Sequence, residues 1–244
     1  MTALIRSELL ALRSLRSTYV IVAGLLLLTV GLTLADLHDI GKSTMDSAAE
    51  LREPMVAGAG ILAAVFMSVM AAVRLGGEYR YDTIGQRLLA SPVRRRLLAS
   101  RLITYAGIGA GLTVLVLAVS AAITVPAVDA KDLTLGLSAA DAARLAGEVM
   151  LSGALLSAIG VGVGVLTRSQ TAAVLTLVGA LIGERILAGM LGSLGKFLPT
   201  SLVDSLIENH DARLGSGVAA LALAALAGAV TVAAALALQR RDVT

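Results

Sequence analysis

Cysteine and tryptophan are absent from this sequence, aromatic residues make up only 2% of it, and charged residues only 15%. Without thiols the chain forms no disulfides, thiolate metal sites or iron–sulfur clusters. So few aromatic rings provide neither a cage for a cationic ligand nor a platform on which successive bases stack, and no nucleic-acid partner is expected. The low charge is the most informative shortage. A soluble domain is about half apolar and a quarter charged, whereas here 57% of residues are hydrophobic and mean hydropathy is +0.87. The natural solvent of such a chain is a lipid bilayer.

Motifs for chemistry are missing too. The best phosphate-loop lookalike, Gly195-Lys196, has Met190 where the first glycine belongs and Phe197 where Ser or Thr should follow. If ATP and Mg drive this protein, another chain binds them. No H-E-x-x-H occurs. Asp36, His38 and Asp39 cluster in one loop, but the other histidine, His210, falls in a different one, so a solvated acidic loop is the reading and no metal site is expected. No catalytic residue and no cofactor of its own is assigned to the chain.

Uninterrupted apolar windows mark six spans, near 18–35, 55–73, 102–125, 145–166, 171–191 and 217–238. Each is close to the roughly 20 helical residues that cross a hydrocarbon core about 30 Å thick. The expected fold class is all-α, a polytopic membrane protein with a single transmembrane domain over 1–244. The connections leave no room for a soluble catalytic domain. The first span is longer than a signal-peptide core and lacks a convincing small-x-small cleavage site, so it is read as retained.

Six spans put both termini on one side, and Lys and Arg select that side. The segments before span 1, between spans 2 and 3, between 4 and 5, and after 6 carry thirteen of the 20 cations. They carry only four of the 17 acids: Glu8, Glu78, Asp82 and Asp242. Both termini are therefore expected in the cytoplasm, with the chain in a bacterial plasma membrane.

Residues 1–16 set Ile5, Leu9 and Leu12 on one helical stripe and Arg6 and Arg13 on the opposite side. This predicts an amphipathic elbow helix in the inner interface, in contact with membrane lipids, although Glu8 interrupts the apolar face. At the outer side, residues 192–216 are too hydrophobic for a free loop and read as short re-entrant or interfacial helices.

The longest inner connection, 74–101, is too rich in helix formers for a linker. Ile84, Leu88 and Leu89 give a short helix with an apolar patch. Pro92 ends it, and Arg94 to Arg96 lie at the headgroups beside span 3. Here the chain resembles the ABC-2 family of transporter permeases. Gly77-Glu78-Tyr79-Arg80-Tyr81-Asp82-Thr83 followed by Leu89-Ala90-Ser91-Pro92-Val93-Arg94-Arg95 is similar to that family's first cytoplasmic loop: Glu, then Gly-Thr, then Pro with Arg close behind. Asp82 replaces the usual Gly, and Arg101 stands where Lys is frequent. The resemblance implies a coupling helix between spans 2 and 3 that docks on a separate ABC ATPase subunit through Glu78, Thr83, Gln86, Arg87, Pro92, Arg94 and Arg95. It also implies an exporter in which two permease chains, a second copy or a sister permease, enclose one substrate path.

Glu184 and Arg185 sit within span 5, where an unpaired charge costs about 3 kcal/mol or more. Counted from Thr171, Glu184 stands about 20 Å up the helix, as a gate or substrate contact or, if the span breaks near Gly183, at the interface. Gly107 with Gly111, Gly160 with Gly164, and Gly179 with Gly183 each fit G-x-x-x-G, and general packing is the reading for all three. Two alternatives to an exporter stay open: a membrane scaffold that recruits a cytosolic partner, and an ion-driven secondary transporter. The second is disfavoured by the lack of an internal repeat and of deep carboxylates other than Glu184.

Overall fold

The computed structural model describes residues 2–13, 16–40, 62–80, 93–130, 138–207 and 214–240. Among these the chain is all helical, with no strand. Lipid offers the backbone no hydrogen-bond partners, so apolar segments satisfy their own N–H and C=O groups by coiling. In chain order the helices are α1 (Thr2–Arg13), α2 (Arg16–Ile40), α3 (Ala63–Arg80), α4 (Arg94–Asp129), α5 (Ala139–Thr167) and α6 (Gln170–Met190). A 3-10 helix (Gly192–Phe197), α7 (Pro199–Ile207) and α8 (Ser216–Arg240) complete them.

Among the described residues four helices are long and apolar enough to cross a membrane: Thr18–His38, Arg95–Asp129, Ala139–Thr167 and Ser216–Gln239. The chain is a polytopic helical membrane protein. The windows expected at 55–73 and 171–191 fall on α3 and α6. Residues 55–61 lie outside the described residues, and the rest of α3 gathers Arg74, Glu78 and Arg80 in its second half. In α6 an apolar stretch is described over Gln170–Glu184.

Several boundaries differ from the sequence reading: α2 runs on to Ile40, so Asp36, His38 and Asp39 are helical and not in a loop, and α5 begins at Ala139 and not near 145. α4 begins at Arg94, eight residues before the expected start of span 3, which puts Arg101 inside a helix. Together with α3, which runs on to Arg80, this shortens the inner connection at both ends. Arginines fit such a position because their long stems follow apolar surface while the guanidinium seeks polar partners. At its other end α4 continues through Pro126, whose carbonyl accepts from the Ala130 N–H. A proline one turn from a helix end removes a single hydrogen bond without stopping the helix there.

α5 is the central element. It packs against α3, α4 and α8, and 56% of its apolar window is buried against 22% for those of α2 and α8. Glycines permit this. A Cβ on Gly160 would overlap the Ser68 carbonyl of α3, and one on Gly164 would lie 2.9 Å from the Ala72 carbonyl oxygen. On the α4 side a Cβ on Gly153 would sit 2.6 Å from the Gly109 carbonyl oxygen. Close backbone approach of this kind replaces the hydrophobic driving force that lipid does not supply. Of the three G-x-x-x-G pairs, only Gly160 and Gly164 meet a neighbour; a Cβ at Gly107, Gly111, Gly179 or Gly183 would touch nothing within 4 Å.

The buried apolar residues fall into two clusters at opposite ends of the bundle. One joins Leu12 of α1 to Leu75, Leu98, Tyr105, Val165 and Leu238. The other joins Leu25, Ala63, Val149 and Leu223 to Leu202, Val203, Leu206 and Ile207 of α7. α1 and the last turn of α8 therefore share one end of the molecule, and α7 marks the other.

Candidate functional site

At the α1 end, three helices bring charge together. Arg101 stands two turns into α4 and is 2% exposed. Its Nη2 donates to Glu78 Oε2 near the end of α3, and its Nε lies 3.5 Å from Glu8 Oε1 of α1. The second contact is coulombic, since it is too long for a good hydrogen bond. Arg74 of α3 donates from Nη2 to the Ala11 carbonyl of α1 at 3.1 Å. Two arginines and two glutamates thus balance in charge. Around them Leu12, Leu75, Leu98 and Tyr105 keep water away. In such surroundings, removing one member of an ion pair costs about 3–5 kcal/mol, because it strands the other.

Glu8 explains the face that α1 presents. The sequence reading set Ile5, Leu9 and Leu12 on one stripe for the lipid interface, with Glu8 as an interruption. In the structure Glu8 and Leu12, one turn apart, are the buried edge, and Leu9 is 45% exposed. The interruption is the anchor, since Arg101 draws the carboxylate inward.

Further contacts brace the same end. Gly76 of α3 lies against the start of α6, where a Cβ would be 2.8 Å from Gln170 Cα. The Arg168 guanidinium, in the joint between α5 and α6, stands 5.6 Å from the centroid of the Tyr79 ring. Arg95 Nη2 donates to Gln239 Oε1 of α8 at 3.4 Å. Of the residues assigned to ATPase coupling, the structure therefore brings Glu78 to Arg101 and Glu8, and Arg95 to the end of α8. Arg94 opens α4. Its side chain, and the whole of Thr83, Gln86, Arg87 and Pro92, lie outside the described residues. Glu8 was missed as a site residue, and its only signal was a charge on an otherwise apolar stripe.

At the α7 end the arrangement is different. α6 continues unbroken past Gly183, so the helix does not break there. Glu184 is 7% exposed, and its Oε2 accepts from the Thr200 backbone N–H at 2.9 Å and from the Thr200 hydroxyl. Thr200 follows Pro199 at the start of α7, where first-turn N–H groups have no intrahelical acceptor and the helix dipole favours an anion. Glu184 thus caps α7 from a different helix. The Arg185 side chain lies outside the described residues. Nearby, Arg144 of α5 pairs with Glu148 at 2.9 Å and donates to Ser216 Oγ of α8 at 3.0 Å. Among the described residues no group of three or more His, Cys, Asp or Glu could hold a metal ion; His210 lies outside them.

The α1 end is built to hold helices in register around the connection between α3 and α4, and the α7 end ties a short helix back onto α6. No curated protein matches the chain. A family model described as ABC-2 family transporter protein matches residues 4–183, about three quarters of the sequence. The match includes Glu8, Glu78 and Arg101 and stops one residue before Glu184. On that match, the chain belongs to the ABC-2 family of transporter proteins.

Proposed function

We propose that this chain is the membrane permease subunit of an ATP-driven exporter. It crosses a bacterial plasma membrane six times with both termini in the cytoplasm, and pairs with a second copy or a sister permease around one path for a hydrophobic or amphipathic substrate. ATP and Mg are bound by separate ABC ATPase subunits. These dock on the connection between α3 and α4 through Thr83, Gln86, Arg87, Pro92, Arg94 and Arg95, and Glu78 acts from behind that surface through Arg101. α1 lies as an elbow in the lipid headgroups. Glu184 and Arg185 belong to the outer gate, which the 3-10 helix and α7 close.

The observation that carries this reading is the junction of Glu78 with Arg101. A pair at the root of two helices fixes α3 and α4 to one another, and helices so fixed convert closure of an attached ATPase into tilting of spans. The family match supports the same assignment. The test is a pull-down of the tagged wild type from solubilised membranes beside an Arg87→Glu, Arg95→Glu variant, which spares the buried pair. An ATPase recovered with wild type and lost with the variant supports the assembly and its docking surface. Wild type that carries no ATPase from membranes in which complexes survive overturns the exporter reading.

A further inference from the structure

Arg101 itself contacts its two carboxylates unequally. Glu78 takes a close, hydrogen-bonded contact from Nη2, while Glu8 faces Nε across 3.5 Å. Both belong to helices other than Arg101's own: Glu78 to α3, Glu8 to α1. A guanidinium in a site this dry attracts each carboxylate strongly, and Nε and Nη2 form one edge of its planar fork, so a carboxylate that takes both donors leaves that edge to no other.

We propose that Arg101 is a shared counter-ion for which α1 and α3 compete, so that α1 seats more tightly when α3 parts from α4 at this end and loosens when the two close. Arg101 is then a positioning residue that links the elbow to the spacing of the helices flanking the coupling connection. With Glu78 close, as here, Glu8 keeps the longer contact, and α1 is held jointly by it, by Leu12 and by the bond from Arg74 to Ala11. If α3 withdraws, the whole guanidinium turns to Glu8. The occurrence of that withdrawal in a nucleotide cycle rests on the exporter reading. The competition itself is a property of this chain.

The absence of native cysteines makes the test direct. Leu12, 5% exposed, is replaced in Leu12→Cys, and thiol labelling by a maleimide is timed in solubilised protein, with Leu9→Cys as the accessible reference. Glu8→Gln should speed labelling at position 12 by about tenfold or more, as expected when a buried pair is broken. Glu78→Gln should slow it severalfold, because Glu8 then has Arg101 to itself. Opposite signs distinguish competition from a shared structural role, which would loosen α1 in both variants. Acceleration in both, or no change in either one, overturns the proposal. Hydrogen exchange across residues 2–13 reads the same two directions without the cysteine, should Leu12→Cys fail to fold. Co-purification of an ATPase, scored on the same preparations, judges the exporter reading separately: its loss from wild type sinks that reading, while the labelling still decides the competition.

Discussion

The two ends of this bundle solve the same problem with different chemistry. Each buries a carboxylate in a membrane protein. At the α1 end Glu8 and Glu78 are neutralised by a cation on another helix. At the α7 end Glu184 is held by an N–H and a hydroxyl at a helix N-terminus. Full charges strand one another when separated, whereas neutral donors return to water or to other acceptors at lower cost. The α1 end is therefore the stiffer of the two.

The comparison breaks first, if it breaks, at Arg101. Arg101→Met should destabilise the purified protein by about 3–5 kcal/mol by removing the cation that both carboxylates face, seen as a lowered thermal midpoint. Adding Glu78→Gln should recover part of that loss, since Glu8 and Arg74 then balance in charge. A double variant no more stable than Arg101→Met would show that the junction depends on packing and not on charge. Next in size is Glu184→Ala, which leaves the first turn of α7 without its acceptor and should cost about 1–3 kcal/mol. Glu184→Gln keeps an acceptor oxygen and should leave assembly intact while impairing transport; a transport rate equal to wild type would remove Glu184 from the gate. Thr200→Val retains the backbone donor and loses only the hydroxyl, so about 1 kcal/mol is expected. Smallest is Arg144→Ala at the α7 end. With 54% of its side chain exposed, the Arg144 pair is screened by solvent and should change stability by less than about 1 kcal/mol. A larger loss would mean that its bond to Ser216 ties α5 to α8.

Much of the membrane architecture was legible in the sequence, because a hydrocarbon core imposes length and apolarity on each crossing independently of its neighbours. The windows at 18–35, 102–125, 145–166 and 217–238 all fall on helices long enough to span, and the helical character expected from residue 192 onward appears in the described residues 192–207 as the 3-10 helix and α7. What a window cannot carry is the identity of the packing partner. Gly160 with Gly164 and Gly179 with Gly183 read alike, yet only the first pair meets another backbone, and nothing local to either marks α5 as the centre. The site was legible in the same uneven way. Glu78 was named from the family's loop pattern, but its partner was set by where α4 begins, eight residues earlier than hydropathy suggested. Glu8 looked like a flaw in an amphipathic stripe because the counter-charge that draws it inward lies 93 residues further along the chain.

The joint between α5 and α6 consists of Arg168 and Ser169, with Arg168 in the left-handed region at φ 51°. A non-glycine residue there costs about 1–2 kcal/mol, and the cation–π contact of the same side chain with Tyr79 returns about 0.5–1 kcal/mol. A glycine at position 168 would relieve the first and forfeit the second, so a melting curve would barely register the exchange. The compliance of the joint would change, since the arginine fastens the hairpin to α3 and a glycine leaves it a free pivot. At this corner the natural sequence has chosen rigidity where thermodynamic stability is nearly indifferent.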